Sequence, residues 1–174
     1  MLLLYIEKKQ FSRGNFRKIV TVSNQVKKEI ISNYPVPEED IEVIYNGVDT
    51  ETFHPGNRER YFTEVRQRFD IQLDKKVILF LGTGFERKGL AFLINAFAIL
   101  KDDYPDTRLL VVGKDNNIQR YISLSKELRV ADSVIFTGPQ SDVRIFYEAS
   151  DIFVFPTLYE PFGKVSVLKE NVEN

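Results

Sequence analysis

The stretch Val77-Ile78-Leu79-Phe80-Leu81-Gly82-Thr83-Gly84 decides the fold. Its apolar residues follow one another without alternation, which is typical of a strand that is buried on both faces in a parallel sheet. Similar runs recur along the chain, and segments with helical spacing lie between them. Strands are predicted at 18–23, 41–45, 77–82, 108–113, 133–137 and 151–156. This alternation predicts an α/β fold with a Rossmann-like, doubly wound parallel sheet.

The segments between these strands predict helices and the edge of the sheet that binds ligands. The helices are expected at 2–10, 24–33, 57–69, 88–104, 118–128 and 142–149. Segment 88–104 has one broad apolar face and ends before Pro105, as helices commonly do. Gly82, Gly113 and Gly138 each close a strand. They lie at the carboxyl edge of the sheet, where open α/β sheets bind their ligands.

Composition excludes several classes of protein. With 43% hydrophobic and 28% charged residues in a 174-residue chain, disorder and collagen are excluded. The chain has no Cys and one His, which excludes disulfides, thiolate catalysis and a His-rich metal site. Its 24 Lys and Arg balance 25 Asp and Glu, so charge gives no basis for binding nucleic acid. The apolar runs are far shorter than the ~20 residues of a membrane helix.

A domain boundary is predicted near residue 46. Asn46-Gly47 and Pro55-Gly56 are typical of a connector. Residues 1–46 contain too little apolar sequence for a separate core, and we interpret them as the remnant of a preceding α/β domain with its linker. Residues 47–174 are then an incomplete second domain.

The loop from Gly82 to Gly89 is the first candidate site. Gly82 and Gly84 let the backbone approach a ligand, and a helix that starts here offers free N–H groups. Arg87 and Lys88 add two cations, so this loop suits a diphosphate. The glycine spacing differs from the dinucleotide and Walker patterns, which disfavours nicotinamide and ATP. The alternative is a solvated turn with two surface cations.

A second candidate site follows the last predicted strand. Glu160 precedes Pro161 and can accept hydrogen bonds from sugar hydroxyls. The alternative is a helix-capping Glu beside a structural Phe162. In a doubly wound sheet the loops after the strands 77–82 and 151–156 come together at the switch point. Two weaker candidates, Gly113 and the pair Thr137-Gly138, end neighbouring strands and could line a nucleobase pocket.

In this order the motifs resemble the retaining glycosyltransferases of GT-B architecture. The closest likeness is to the branch that includes the lipopolysaccharide core glucosyltransferase and related glycan and glycogen synthases. It extends from about Arg17 to Gly163 and rests on 18–23, 43–49, 82–89, 111–113, 136–138, 142–143, 149–151 and Glu160-Pro161-Phe162-Gly163. The resemblance implies that residues 1–46 remain from an acceptor-binding domain, and that residues 47–174 bind a nucleotide-diphosphate sugar.

The resemblance also implies a role for each candidate residue. Arg87 and Lys88 would contact the donor diphosphate, and Glu160 would bind the donor sugar. Glycines and backbone groups would complete the donor site, at Gly82, Gly84, Gly113, Thr137, Gly138, Phe162 and Gly163.

A cytoplasmic hexosyltransferase is the implied activity. Its donor would be a nucleotide-diphosphate sugar, and its acceptor a saccharide or a lipid-linked glycan in glycan or lipopolysaccharide biosynthesis. Neither metal nor cofactor is implied, and peripheral membrane association of the parent protein remains open.

The sequence departs from the family pattern near its end. The pattern has a second Glu eight positions after the first, but Leu168 stands there. Glu170 comes two residues later, and on a helix its side chain would point about 200° away from that of residue 168. Either the chain is truncated and its tail altered, or the ribose contact is lost. We expect a fragment that is inactive alone and that either self-associates or is marginally stable. The alternatives are a non-catalytic nucleotide-sugar-binding or regulatory module of the same fold and, less well supported, a phosphoryl or nicotinamide enzyme.

Overall fold

The computed structural model describes residues 2–12, 14–47, 49 and 58–159. The chain divides into two compact units, of which the first includes Met1–Gly47 and the second Val48–Tyr159. Each unit has its own parallel sheet and its own hydrophobic core. The expectation that residues 1–46 lack a separate core is wrong, because Ile30, Val36 and Ile41 form a small one.

The first unit is small. Its elements are α1 (Leu2–Gln10), β1 (Ile19–Thr21), α2 (Asn24–Asn33) and β2 (Ile41–Val43). The two strands pair in parallel, with Ile19 opposite Ile41. Ser23 begins α2, because its side chain accepts a hydrogen bond from the Val26 N–H at 3.2 Å. A sheet of two strands gives little independent stability.

The second unit contains the larger sheet. Its elements are α3 (Arg58–Arg68), β3 (Lys76–Thr83), α4 (Leu90–Asp103), β4 (Thr107–Lys114), α5 (Ile118–Glu127), β5 (Val134–Gly138), α6 (Arg144–Glu148) and β6 (Ile152–Phe153). All four strands are parallel, and their order is β5-β4-β3-β6. The chain thus moves outward from β3 to β5 and then returns to the other side of β3. The switch point lies between β3 and β6.

Alternate residues of β3 supply two cores, one on each face of the sheet. Val77, Leu79 and Leu81 pack with residues of α3 and α6. Ile78 and Phe80 pack with residues of α4 and α5. Helices therefore cover both faces, as the uninterrupted apolar run predicts. The predicted Rossmann-like α/β fold is confirmed.

Two predicted boundaries are wrong in ways that affect the site. The helix expected from residue 88 begins at Leu90, because Gly89 has the left-handed φ of 75° and is the residue that precedes it. Arg87 and Lys88 therefore lie in the turn before α4, not in its first turn. Strand β6 is also shorter than the predicted 151–156, so Phe155 and Pro156 belong to the loop that follows it.

A buried cation connects the segments that precede β3 and β6 at the amino end of this sheet. Arg66 of α3 is 1% exposed, and its guanidinium donates to five oxygens. They are the carbonyls of Gln72, Leu73, Lys75 and Ala149, at 2.6–3.2 Å, and the Asp151 carboxylate at 2.9 Å. Burial lowers the pKa of the Arg66 guanidinium, whereas the Asp151 charge acts in the opposite direction.

Candidate functional site

Three glycines lie in adjacent strands at the carboxyl edge of the second unit's sheet. Gly82 of β3 is opposite Gly113 of β4, and Val112 pairs with Gly138 of β5. A Cβ at Gly113 would lie 1.8 Å from the Gly82 carbonyl oxygen. Only glycine therefore allows β3 and β4 to approach this closely at their ends.

The turn between β3 and α4 is held by hydrogen bonds to the end of β4. The Gly84 N–H donates to the Lys114 carbonyl at 3.2 Å. The Phe85 N–H donates to the Asp115 carboxylate at 2.6 Å, and the other oxygen of Asp115 accepts from the Asn117 N–H at 2.8 Å. Sequence reasoning missed this role of Asp115. An Asp two residues before Asn117 is the pattern of an Asx turn, which could have indicated it.

The loop after β6 contacts this turn directly. The Leu158 N–H and the Thr157 hydroxyl donate to the Arg87 carbonyl, at 3.0 and 3.3 Å. The Arg87 guanidinium donates in return to the Tyr159 carbonyl at 3.1 Å. A Cβ at Gly89 would lie 2.0 Å from the Pro156 carbonyl oxygen. The prediction that the loops after β3 and β6 meet at the switch point is confirmed.

Lys88 and Arg87 differ in their surroundings. Arg87 is exposed, whereas Lys88 is 8% exposed. The Lys88 stem lies beside Gly82, where a Cβ would be 3.2 Å from the Lys88 Cγ. Its Nζ lies 4.5 Å from the centroid of the Phe155 ring. Sequence reasoning identified Lys88 as a cation but missed both Phe155 and the packing of the stem on Gly82.

Thr137 and Gly138 end β5, two strands away from β3. The Thr137 hydroxyl donates to the Gly138 carbonyl at 2.9 Å, and the Gln140 amide donates to the Thr137 carbonyl at 3.0 Å. Both residues are half-buried. They lie at the same edge of the sheet as Gly113, which is the arrangement that the sequence predicts.

Three predicted site residues, Glu160, Phe162 and Gly163, lie outside the described residues. Leu168 and Glu170, where the sequence departs from the family pattern, lie outside them as well. In the described ranges 2–12, 14–47, 49 and 58–159, no three His, Cys, Asp or Glu side chains are grouped so that they could hold a metal ion. Within that same part of the chain, no helix combines the length and the apolar character needed to span a membrane.

The fold and this edge define a Rossmann-like α/β protein with two cations at the switch point of its sheet. The family profile described as "Glycosyl transferases group 1" matches residues 62–167, more than half of the chain. A second profile, "Glycosyltransferase Family 4", matches residues 2–52. The chain belongs to the glycosyl transferases group 1 family.

Relatives and solved structures agree with this assignment. The D-inositol 3-phosphate glycosyltransferase of Corynebacterium aurimucosum is 32% identical over 86% of this chain and 37% of its own length. The structure of WaaG, a glycosyltransferase involved in lipopolysaccharide biosynthesis, matches 97% of this chain and 46% of the WaaG chain. The TM-score is 0.86 and the sequence identity is 25%. The structure of Anabaena HepE in complex with UDP and glucose matches 97% of this chain and 45% of the HepE chain, with a TM-score of 0.84. At 22% sequence identity, this similarity shows the fold alone. The chain spans 37–44% of the length of the first curated relatives that it matches.

Proposed function

We propose that this chain supplies the donor-binding part of a GT-B glycosyltransferase. The whole enzyme would transfer a hexosyl group from a nucleotide-diphosphate sugar to a saccharide or lipid-linked glycan acceptor, with retention of configuration. It would work in the cytoplasm, in glycan or lipopolysaccharide biosynthesis. Residues 1–46 would belong to the acceptor-binding domain, and residues 47–174 would bind the donor.

The observation that carries the proposal is the meeting of two loops at the switch point. The turn with Arg87 and Lys88 and the loop that leads to Glu160 are joined by hydrogen bonds at the Arg87 carbonyl. This is the edge of the sheet at which α/β proteins bind nucleotides. Two cations from one turn suit the two phosphates of a nucleoside diphosphate.

The proposed mechanism depends on charge that develops as the glycosidic bond to the diphosphate breaks. Arg87 and Lys88 would offset the negative charge on the departing nucleoside diphosphate. Cations fixed in place before the reaction lower the barrier without reorganisation, and the proposal therefore requires no metal. Glu160 would hydrogen-bond the donor sugar, with the backbone of Phe162 and Gly163 packed against the sugar and diphosphate.

Calorimetric titration of the purified chain with UDP, ADP and GDP tests this proposal. Each titration is made without metal and then with Mg²⁺, on the unchanged chain and on Arg87→Ala/Lys88→Ala. The matched control is Arg68→Ala/Lys126→Ala, which removes two exposed cations elsewhere in the same unit. We expect one diphosphate to bind without metal, the double variant at residues 87 and 88 to lose binding, and the control to keep it. No binding by a folded chain, or equal loss in both double variants, would contradict the proposal.

A second candidate is a non-catalytic nucleotide-sugar-binding module of the same fold. Leu168, at the position where the family pattern has its second Glu, favours it. The two candidates differ in whether the donor is consumed. Release of nucleoside diphosphate from the sugar nucleotide, by the protein of the complete reading frame, would support the enzyme; binding without release would support the module.

A further inference from the structure

We propose that Phe155 is a positioning residue, which holds the Lys88 ammonium at the carboxyl edge of the sheet before a diphosphate binds. The inference rests on the proposed function for its ligand, a nucleoside diphosphate. It assigns to a residue of the β6 loop a role that neither charge nor hydrogen bonding at that residue suggests.

The first observation is the course of the Lys88 side chain. Its stem packs beside Gly82 at the end of β3, and its Nζ lies 4.5 Å from the Phe155 ring centroid. Gly82 and Phe155 follow two neighbouring strands, because β3 pairs with β6. Lys88 therefore lies between the two strand ends where the chain order reverses.

The second observation is burial. Lys88 is 8% exposed, so little of the residue is in contact with water. The face of an aromatic ring attracts a cation within about 6 Å, and the attraction is stronger where water is excluded. An aliphatic residue of similar size would fill the same space without this attraction.

The third observation is the packing behind Phe155. Its ring stacks on Phe153 with centroids 5.8 Å apart and an interplanar angle of 21°. Phe153 in turn makes a T-shaped contact with Tyr147, with ring centroids 5.4 Å apart. Tyr147 lies fully buried in α6. The orientation of the Phe155 ring is thus linked to the core of the unit, which makes the ring a rigid support for the ammonium.

Arg87 contrasts with Lys88 and explains why one cation needs such a support. The exposed Arg87 guanidinium donates to the Tyr159 carbonyl, so it links the two loops by a hydrogen bond. Lys88 has a flexible four-carbon stem, and fixing it costs side-chain entropy. Packing on Gly82 and Phe155 restricts that stem in the unliganded protein. Less entropy is then lost when the ligand binds.

The test compares Phe155→Leu, Phe155→Tyr and the control Phe92→Leu in the full 174-residue chain. Phe92→Leu removes an exposed aromatic ring of α4, outside the stack that supports Phe155, and should leave the affinity unchanged. We expect Phe155→Leu to weaken binding of the preferred nucleoside diphosphate about 3- to 30-fold. Phe155→Tyr keeps an aromatic face and should stay within about twofold of the unchanged chain. Equal affinities in Phe155→Leu and Phe155→Tyr would overturn the proposal.

A second measurement needs no ligand. The ε-methylene protons of Lys88 lie near an aromatic ring, so their NMR signal should be shifted upfield from the usual lysine position. We expect this shift to vanish in Phe155→Leu and to persist in Phe155→Tyr. An unshifted signal in the unchanged chain, or a shift that Phe155→Leu leaves in place, would contradict the positioning of Lys88 by Phe155.

The two measurements separate this inference from the proposed function. If no nucleoside diphosphate binds, the proposed function is contradicted, and so is the ligand assigned to Lys88. The NMR shift then still decides whether Phe155 holds the ammonium. If the diphosphate binds and only the response to Phe155→Leu is absent, the proposed function stands and the role of Phe155 is refuted.

Discussion

Two buried cations of the second unit lie at opposite ends of one sheet. Arg66, 1% exposed, lies at the amino end and donates to four carbonyls and the Asp151 carboxylate. Lys88, 8% exposed, lies at the carboxyl end over the Phe155 ring. Burial alone therefore does not distinguish a structural cation from one that is proposed to bind a ligand.

Geometry makes the distinction. The planar guanidinium of Arg66 meets five oxygens, which come from two separate parts of the unit, residues 72–75 and 149–151. The ammonium of Lys88 lies over a ring face at the edge where α/β sheets bind ligands. The comparison predicts that changes at Arg66 affect stability, whereas changes at Lys88 affect binding.

The largest effect is expected for Arg66→Met. It removes the charge, leaves four carbonyls without this donor and takes one donor from Asp151, which still accepts from the Val77 N–H at 2.8 Å, so we expect the free energy of unfolding to fall by about 3–5 kcal/mol. Urea unfolding followed by circular dichroism measures the loss. The control is Arg68→Met, which removes an exposed cation from the same helix and should cost less than about 1 kcal/mol. Similar losses in both variants would refute the structural role of Arg66.

The next effect concerns the contact between the two loops, tested by Gly89→Ala and Gly84→Ala. The two glycines have almost the same φ, 75° and 74°, so alanine introduces similar backbone strain, about 1–2 kcal/mol, at each. Among the residues that the structure describes, a Cβ at Gly84 meets no atom within 4 Å, whereas one at Gly89 lies 2.0 Å from the Pro156 oxygen. We expect Gly89→Ala to cost about 1–3 kcal/mol more in the free energy of unfolding. Equal losses would show that the loops do not approach as described.

A smaller effect is expected for Lys88→Met, for which both the free energy of unfolding and the affinity for a nucleoside diphosphate are measured. Methionine retains the apolar stem beside Gly82, so the free energy of unfolding should change by less than about 1 kcal/mol. Loss of the ammonium should weaken binding of a nucleoside diphosphate about 10- to 100-fold. The opposite pattern, with large destabilisation and unchanged affinity, would place Lys88 in the same class as Arg66.

The smallest effect is the contribution of Asp142 to the pH dependence of the free energy of unfolding. Hydrogen bonds from the Arg144 guanidinium, at 2.6 and 2.9 Å, lower the pKa of the Asp142 carboxyl. Because the folded-state pKa is the lower one, the pair stabilises the fold above the ordinary carboxyl pKa of about 4, and this contribution is lost as the pH falls through the folded-state value. The pair is partly exposed, so the contribution is below about 1 kcal/mol. The difference in the free energy of unfolding between the unchanged chain and Asp142→Asn should be largest at pH 6 and should shrink as the pH falls below about 4; a constant difference would contradict this.

The fold was predictable because its signals are local. Uninterrupted apolar runs such as Val77 to Leu81 indicate strands buried on both faces, and the strand order then follows from how doubly wound sheets connect. Arg87 and Lys88 were identifiable from charge beside glycine. Phe155 was not, because an aromatic residue after a buried strand is ordinarily a core residue. Its contact with Lys88 depends on the pairing of β3 with β6, which are about 70 residues apart. The buried position of Arg66 was missed in part for the same reason, since two of its acceptors, Ala149 and Asp151, are distant in sequence.

The most direct test of the central claim follows glycine amides by NMR during titration with the diphosphate that calorimetry selects. The chain has 9 Gly, so selective ¹⁵N-glycine labelling gives a simple spectrum. We predict that the signals of Gly82, Gly84, Gly89 and Gly113 shift with ligand concentration, whereas Gly14 of the first unit does not move. Heat of binding with no shift at the carboxyl edge of the second unit's sheet would contradict the account.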